Sequence, residues 1–445
     1  MMLTTTFILF GLFIVFRLFY IFVPIFSIKN NDKLQLLNEE KGITVLVPAY
    51  NEEAIITDCL KGLLNVNYKN FEAIFINDGS GDRTFSVLEE ILELNPLERV
   101  KAGELSHKPT KGIYQSDKYP HIYVIDKING GKADALNAGI ELTSNEIIVT
   151  LDADSILDTN ALQAVNTTFE EDRVIAAGGM VQISQGYRGS HKKPTPVFST
   201  SGLIRFQIIQ YMTDFYLHKF TQSKMGAITV IAGAFGAFRR HALFEVDGYR
   251  NTVGEDMDIT LKIQKLLRTK YKNKKMVIMS HALCFTECPA TFIDLYRQRI
   301  RWQKAFIDCI WTYKYMFFRK LRFLPSLYLL LDSLILGTLC AFIVLTAPFI
   351  IILNPSNFII ALGLFTLAYV IALYQGAAAL FISRRYGVSY TKNDYMRVVM
   401  FLPFEIISYR LLGLLFVSLG TILYLKNKKG WAASRRVGVS YQTFE

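Results

Sequence analysis

The sequence predicts an α/β domain with an open sheet, joined to an α-helical region that spans a membrane. Three observations predict it. Short β-branched apolar runs recur between residues 42 and 290, each followed by turn residues and then a helical pattern. Three further apolar stretches are each long enough for a transmembrane helix, which takes about 20 residues. Lys and Arg gather beside those stretches, the pattern of a cytoplasmic membrane surface. With 51% hydrophobic residues in 445, the chain is too apolar for an ordinary soluble protein.

The elements follow in order. Residues 7–28 are one apolar run interrupted only by Arg17. The run has neither a basic start nor a small-residue cleavage site, so residues 1–28 read as a retained transmembrane helix. Lys29, Lys33 and Lys41 follow it, which places the N-terminus outside and residue 30 onward in the cytoplasm. Residues 42–290 form the α/β domain. Its expected strands are Ile43–Val47, Phe71–Ile76, Ile122–Ile125, Ile147–Leu151 and Met276–Met279. Residues 101–119 are polar and without periodicity, and read as a surface insertion.

Residues 291–322 hold two basic, aromatic helical stretches, roughly 291–304 and 306–322. They read as helices in the membrane interface, with packing on the soluble domain as the other reading. Residues 327–353 and 358–382 read as spans within a transmembrane region of 327–425. Their uncharged linker 354–357 is expected outside, and Arg384, Arg385, Lys392 and Arg397 mark the return. The region 396–425 contains Pro403, Glu405 and Arg410. It reads as a single crossing, as an interface helix followed by a span, or as a bent re-entrant pair. A single crossing puts the basic tail, 426–445, outside against the charge rule. No long soluble extension follows, so no built-in nucleotide-sensing domain is expected.

The net charge of +11 tracks apolar spans and no nucleic-acid motif, which argues against a nucleic-acid partner. Five scattered cysteines without zinc spacing read as free thiols in a reducing compartment.

The candidate chemistry centres on Ile147–Leu151, a buried strand that delivers Asp152 and Asp154 at its carboxyl end. Ligands of open α/β sheets bind there. In an extended chain the two carboxylates share one side, and two hard oxygen donors suit Mg²⁺ or Mn²⁺ on a phosphorylated substrate. Four further elements belong above the strand ends: Pro48–Glu53, Asn77–Ser80, Gly130–Asn137 and Gly254–Asp256. Gly and Asp at successive strand ends suit a nucleotide.

These motifs, with Gln298-Arg299-Ile300-Arg301-Trp302, resemble the processive, membrane-embedded family 2 glycosyltransferases. That family includes synthases of cellulose, chitin, hyaluronan and poly-N-acetylglucosamine. The resemblance covers residues 42–305. It implies a GT-A fold, an α/β glycosyltransferase domain with a Rossmann-like mixed sheet. By resemblance, Asp152 and Asp154 hold the metal on the diphosphate of a UDP-sugar. Ala49, Tyr50, Glu52 and Asp78 hold the uridine, and Lys132 and Arg301 assist at the phosphates. Asp256 is the base that takes the acceptor's proton, with Glu255 as the alternative. The family has Thr where this chain has Gly254. Gln298 and Trp302 face the acceptor sugar, although Trp302 also reads as a lipid-belt anchor. Gly233 and Phe235, in Ile231–Arg240, border the acceptor site or form a tightly packed strand. Trp431 and Arg435 or Arg436, in the basic tail, close over the diphosphate or meet anionic lipid.

The implied activity is inverting, processive, β-linked synthesis of an exopolysaccharide and its passage between the helices, in a bacterial-type inner membrane. UDP-GlcNAc is the expected donor. UDP-glucose, two alternating donors and single transfer to a lipid are the alternatives. The expected partners are the UDP-sugar, the growing polysaccharide, membrane lipid and a small membrane subunit.

Overall fold

In the computed structural model, residues 2–27, 34, 37, 39–99, 102–190, 192–353 and 355–427 are described. They divide into two compact units. The first takes the described residues of 33–194 and 230–288, and the second those of 1–32, 195–229 and 289–434. Residues 195–229 therefore belong with the helical part of the chain, although composition places them in the α/β domain.

The first unit is built on a ten-stranded mixed sheet. Its strands are β1 Ile43–Ala49, β2 Phe71–Asn77, β3 Leu94–Pro96, β4 Thr110–Ser116 and β5 Ile122–Lys127. Next come β6 Ile147–Leu151, β7 Ser155–Leu157, β8 Val174–Ile183, β9 Phe235–Arg239 and β10 Lys275–Thr286. The spatial order is β3-β4-β5-β2-β1-β6-β9-β8-β10-β7. The block β5-β2-β1-β6 is parallel, with Ile43 opposite both Phe71 and Ile147. Four carboxyl ends thus open at one edge, where backbone groups leave the ladder and ligands bind. All five residues of β6 are buried, which explains its unbroken apolar run: both faces are covered.

The helix Lys132–Leu142 covers β1 and β2 through Gly139. A Cβ at Gly139 would lie 2.9 Å from Leu46 Cδ2 and 3.2 Å from Ile76 Cδ1, so only a bare backbone fits there.

The segment expected as a surface insertion is instead part of the sheet. Thr110–Ser116 pairs antiparallel with β5. Most of its residues are only half-buried, so it lacks the alternation that marks a strand. The preceding loop is tied down by Glu141, whose carboxylate accepts from the backbone N–H of Gly103, Glu104 and Leu105. The last strand is also longer than its apolar core suggested, because polar Ser280 and His281 interrupt a run that continues to Thr286.

The second unit is helical. Four helices are long and apolar enough to cross a membrane: Thr4–Ser27, Phe323–Ile352, Phe358–Arg385 and Lys392–Lys426. The two expected interface helices form one helix, Phe292–Tyr313. Thr291 caps it, accepting from Asp294 N–H at 3.2 Å, and Ala305 at the expected break is a strong helix former that packs inward. The awkward region after 392 is one helix rather than a re-entrant pair. Pro403 withholds an N–H, and the helix widens to a π turn over Glu405–Tyr409 directly after it. Asp214–Lys219 and Tyr328–Leu339 are also π-helical.

Several charged groups in this unit have polar partners. Arg410 Nε lies 3.1 Å from Glu405 Oε2, His218 Nδ1 3.1 Å from Asp214 Oδ1, and Tyr20 donates to Asp332 at 2.5 Å. Such pairing lowers the cost of polar groups among apolar helices.

Replacing Gly139 by Val should overpack the helix against β1 and β2 at a cost of about 1–3 kcal/mol. A lowered thermal midpoint in detergent is the expected outcome. An unchanged midpoint would show that the helix can lift without loss.

Candidate active site

The first unit's site begins with a lysine that the motifs do not include. Lys127 ends β5 and is wholly buried. Its Nζ donates to Asp78 Oδ1 at 2.6 Å, to Asp134 Oδ1 at 2.5 Å and to Ile128 C=O at 2.7 Å. All three ammonium donors are used. Asp78 then accepts from Gly130 N–H at 3.0 Å and Gly131 N–H at 2.7 Å. Gly79 has φ +66°, and a Cβ there would stand 2.8 Å from Asn129 N, so this turn requires glycine. Asp78 is buried, and both its oxygens serve the 127–131 loop. Asp78 thereby shapes the 127–131 loop.

The Pro48–Glu53 loop is fastened to the neighbouring one. Asp78 N–H donates to Ala49 C=O at 2.9 Å, Asn51 N–H to Ser80 Oγ at 3.1 Å, and Glu52 N–H to Thr84 Oγ1 at 2.8 Å. Tyr50 remains 48% exposed beside this tied pair of loops.

Asp152 and Asp154 follow β6 in a turn closed by Ser155 N–H on Asp152 C=O at 2.9 Å. The turn gives the two carboxylates different partners. Asp154 is buried, and its Oδ1 accepts from Thr286 Oγ1 at 3.1 Å and Ser155 Oγ at 3.3 Å. Asp152 is partly exposed, and Lys132 Nζ lies 2.5 Å from its Oδ1 and 3.1 Å from Glu255 Oε1. Burial pulls the Lys132 pKa down, but Asp152 and Glu255 outweigh it and raise the pKa, so the ammonium stays charged. Burial, with Asp152 and Asp154, pushes the Cys59 and Cys284 thiols up, so neither is a nucleophile.

No set of three or more His, Cys, Asp or Glu converges on a metal point among the described residues. Two carboxylates fit a hard cation that keeps waters and takes its other oxygens from a substrate phosphate, the usual state of Mg²⁺.

Lys132, Gly233, Glu255 and Asp256 line one small hollow. A Cβ at Gly233 would stand 2.9 Å from Lys132 Nζ and 3.6 Å from Asp256 Cβ, so the bare backbone makes room for the ammonium. Asp256 opens the helix Glu255–Thr269. Its Oδ1 accepts from Met257 N–H at 2.7 Å, and its other oxygen has no partner among the described residues. Thr260 Oγ1 donates to Asp256 C=O at 2.6 Å and accepts from Ile231 N–H at 2.9 Å, which fixes the helix start to the 231–235 segment. Asn137 holds the approach, exchanging hydrogen bonds with the Tyr249 backbone at 2.8 and 3.0 Å. Phe235, read as bordering the acceptor site or as part of a tightly packed strand, is a core residue. It is fully buried, and its ring fills the space of a side chain at Gly179.

In the second unit, Gln298, Arg301 and Trp302 lie on the helix Phe292–Tyr313. Trp302 is 40% exposed, and the Arg299 guanidinium sits 4.2 Å from its ring centroid. Arg299 Nη2 donates to Tyr409 Oη at 3.1 Å, and Tyr409 donates to Gln210 Oε1 at 3.0 Å. Gln210, Arg299, Trp302 and Tyr409 line a cavity of about 1040 Å³ within the helical unit. Phe10, Phe13, Phe365, Tyr369 and Phe416 also line it. Trp431, Arg435 and Arg436 lie outside the described residues.

Sequence reasoning missed Lys127, Thr286 and Arg299. The one usable signal was a lysine closing an apolar strand just before a Gly-Gly loop.

A mixed sheet with an Asp-x-Asp turn at its parallel edge and an acid-headed helix nearby defines a GT-A glycosyltransferase domain. The family models agree: "Glycosyl transferase family 2" matches residues 44–246, and "Glycosyl transferase family group 2" matches 147–382. The chain belongs to glycosyltransferase family 2. It is 30% identical over 312 residues to the poly-beta-1,6-N-acetyl-D-glucosamine synthase of Staphylococcus aureus strain COL, covering 69% of this chain and 65% of that protein. The Staphylococcus epidermidis protein of the same name is 28% identical over 443 residues, covering 95% and 93%. Among solved structures, the mannosyltransferase PcManGT from Pyrobaculum calidifontis, in complex with GDP-Man and Mn²⁺, matches with a TM-score of 0.56. It is 15% identical, over 96% of this chain and 98% of that one, a likeness of fold.

Lys127→Met should leave the buried Asp78 carboxylate without its counter-ion, a loss of about 3–5 kcal/mol. A thermal midpoint close to wild type would show that the triad is not load-sharing. Gly233→Ala should leave the midpoint near wild type while displacing Lys132 Nζ, and turnover should fall about tenfold or more.

Proposed function

We propose that this protein polymerises N-acetylglucosamine from UDP-GlcNAc into a β-linked polysaccharide. The observation that carries the reaction is the cluster of Asp152, Lys132, Glu255 and Asp256 at the carboxyl edge of the sheet. It puts a fixed cation beside carboxylates of two different elements, one of which has an oxygen to spare. The sugar is supported by the names of the staphylococcal relatives.

The acceptor hydroxyl oxygen attacks the donor's anomeric carbon and forms the new C–O bond. The bond to the diphosphate breaks, and its electron pair leaves with UDP. The hydroxyl proton goes to the Asp256 oxygen that Met257 does not hold. Attack opposite an α-linked leaving group inverts the carbon and yields a β-linkage. Lys132 offers a preorganised positive charge to the diphosphate as its negative charge grows. A divalent cation on Asp152 and Asp154, when bound, neutralises that same charge. Trp302 offers one ring face to the acceptor sugar, since Arg299 covers the other.

The cavity in the helical unit supports passage of the product. Its aromatic lining offers stacking surfaces for pyranose rings along apolar helices. In this reading the protein is multi-pass in a bacterial cell membrane, with the α/β unit in the cytoplasm. Regulation by a small membrane subunit stays a proposal that activity of the purified chain would argue against.

The test is UDP release by purified protein in nanodiscs with UDP-GlcNAc, UDP-glucose, UDP-GlcA or UDP-galactose, singly and in pairs. Metal-dependent turnover with UDP-GlcNAc and a high-mass product are expected. Asp256→Asn should lower turnover by about 100-fold or more, and chelation should abolish it. A one-sugar lipid product would replace polymer synthesis by lipid glycosylation. Turnover confined to another donor would overturn the choice of sugar.

A further inference from the structure

We propose that Thr286 is a positioning residue for the divalent cation, its hydroxyl aiming the Asp154 carboxylate; this rests on the reading of Asp152 and Asp154 as the metal carboxylates of UDP-sugar transfer. Thr286 ends β10, and 132 residues of chain separate it from Asp154.

The two carboxylates after β6 are held by different means. Asp152 is partly exposed and carries the Lys132 ammonium at 2.5 Å. Asp154 is 3% exposed, so protein groups rather than solvent decide how it points. A carboxylate so enclosed meets a cation only through the small part that stays open, and a slight rotation would close it off. Its Oδ1 accepts from Thr286 Oγ1 at 3.1 Å and from Ser155 Oγ at 3.3 Å. Ser155 is the next residue in the chain and moves with Asp154. Thr286 comes from another strand, so its bond is the one that refers Asp154 to the sheet.

Thr286 is itself well fixed. On β10 it stands opposite Ser155 of β7 on one side and Ile183 of β8 on the other. Two residues further on, Gln185 clamps the backbone: its Oε1 accepts from Cys288 N–H at 3.1 Å and its Nε2 donates to Cys288 C=O at 2.7 Å. Thr286 is buried, and a β-branched side chain has a restricted χ1. A hydroxyl held between two strands and a clamped exit has little freedom to swing.

The choice of a hydroxyl has a chemical reason. Carboxylates that ligate a metal are themselves hydrogen-bonded, and that outer bond orients the ligating group. A lysine or arginine in this place would orient Asp154 too, but would offset the negative charge that attracts the cation. One ammonium already stands on Asp152. A neutral donor takes a single lone pair and leaves the carboxylate its charge and its remaining acceptor sites. The two carboxylates thus divide the work: Asp152 shares its charge with Lys132, and Asp154 is oriented without a cation from Thr286.

The experiment follows Mn²⁺ binding by electron paramagnetic resonance on the full-length protein in nanodiscs, with saturating UDP and a protein-free UDP reference. Thr286→Val keeps the branched shape and removes the hydroxyl, Thr286→Ser keeps the hydroxyl, and Thr286→Ala removes hydroxyl and methyl together. The Val and Ala variants should bind Mn²⁺ about 10–100-fold more weakly, and the Ser variant should match wild type. A bond that serves only packing would instead lower the thermal midpoint in EDTA and leave Mn²⁺ affinity unchanged, which would overturn the proposal. So would equal losses in the Ser and Val variants, or no Mn²⁺ binding by wild type. If the Val variant does not fold, Ser against Ala decides alone, since those two differ only in the hydroxyl. Failure of the proposed activity reads separately: it is the absence of UDP release from UDP-GlcNAc, whatever the Mn²⁺ affinities.

Discussion

The fully buried ammonium of Lys127, shared between Asp78 and Asp134, is the interaction on which the loops at the carboxyl edge of the sheet depend. One cation at the end of β5 fixes the turn after β2 and the start of the helix Lys132–Leu142. That helix start carries Lys132, and Lys132 in turn joins Asp152 to Glu255. The ends of β2, β5 and β6 and the start of the helix Glu255–Thr269 are thus tied through two lysines, one buried and structural, the other partly exposed and facing the site. A buried ion triad is a weak source of net stability, because desolvation offsets much of its attraction. Its value is geometric: a misplaced Gly130–Gly131 turn would leave a buried charge unpaired.

Much of this was legible in the sequence, and the exceptions share a cause. The parallel core showed itself because strands covered on both faces read as unbroken apolar runs, as in Ile147–Leu151. Thr110–Ser116 did not, because it is half-buried toward one end of the sheet and carries Thr, Lys, Gly, Gln and Ser. Phe235 stands between glycines in the sequence, yet its ring is core and fills the space a side chain at Gly179 would need, while Gly233 makes room for Lys132. The motif carboxylates were legible as types, but not in their environments. Asp154 is enclosed by Thr286 from the far end of the sequence, a contact no local pattern encodes. Lys127 was hidden because a lysine is expected at the surface.

The helical unit shows a different limit. Hydropathy found its spans but not its helix lengths, since Ala305 and Pro403 sit at places where the pattern suggested breaks. Side chains resolved both, the first by packing inward and the second by local widening. The glycine at 420 shows how close the packing is, for a Cβ there would come within 2.7 Å of Gln303. Gln303 in turn bonds Thr338 and Thr421, so polar side chains join three helices in a region composition describes only as apolar.

The π turns have a consequence of their own. Each adds residues to a helix without breaking it, and one added residue rotates everything beyond it by about 100°. In the last helix the Glu405–Tyr409 turn therefore sets which side of 410–426 carries Gly420, quite apart from which residues are apolar. The seam between helices is a matter of counting as well as composition. Distant relatives would then be free to gain or lose single residues at these three turns, trading a π turn for an α turn. Each such change would re-aim the side chains beyond it, a route by which one hydrophobic pattern can present different walls to whatever the helices enclose.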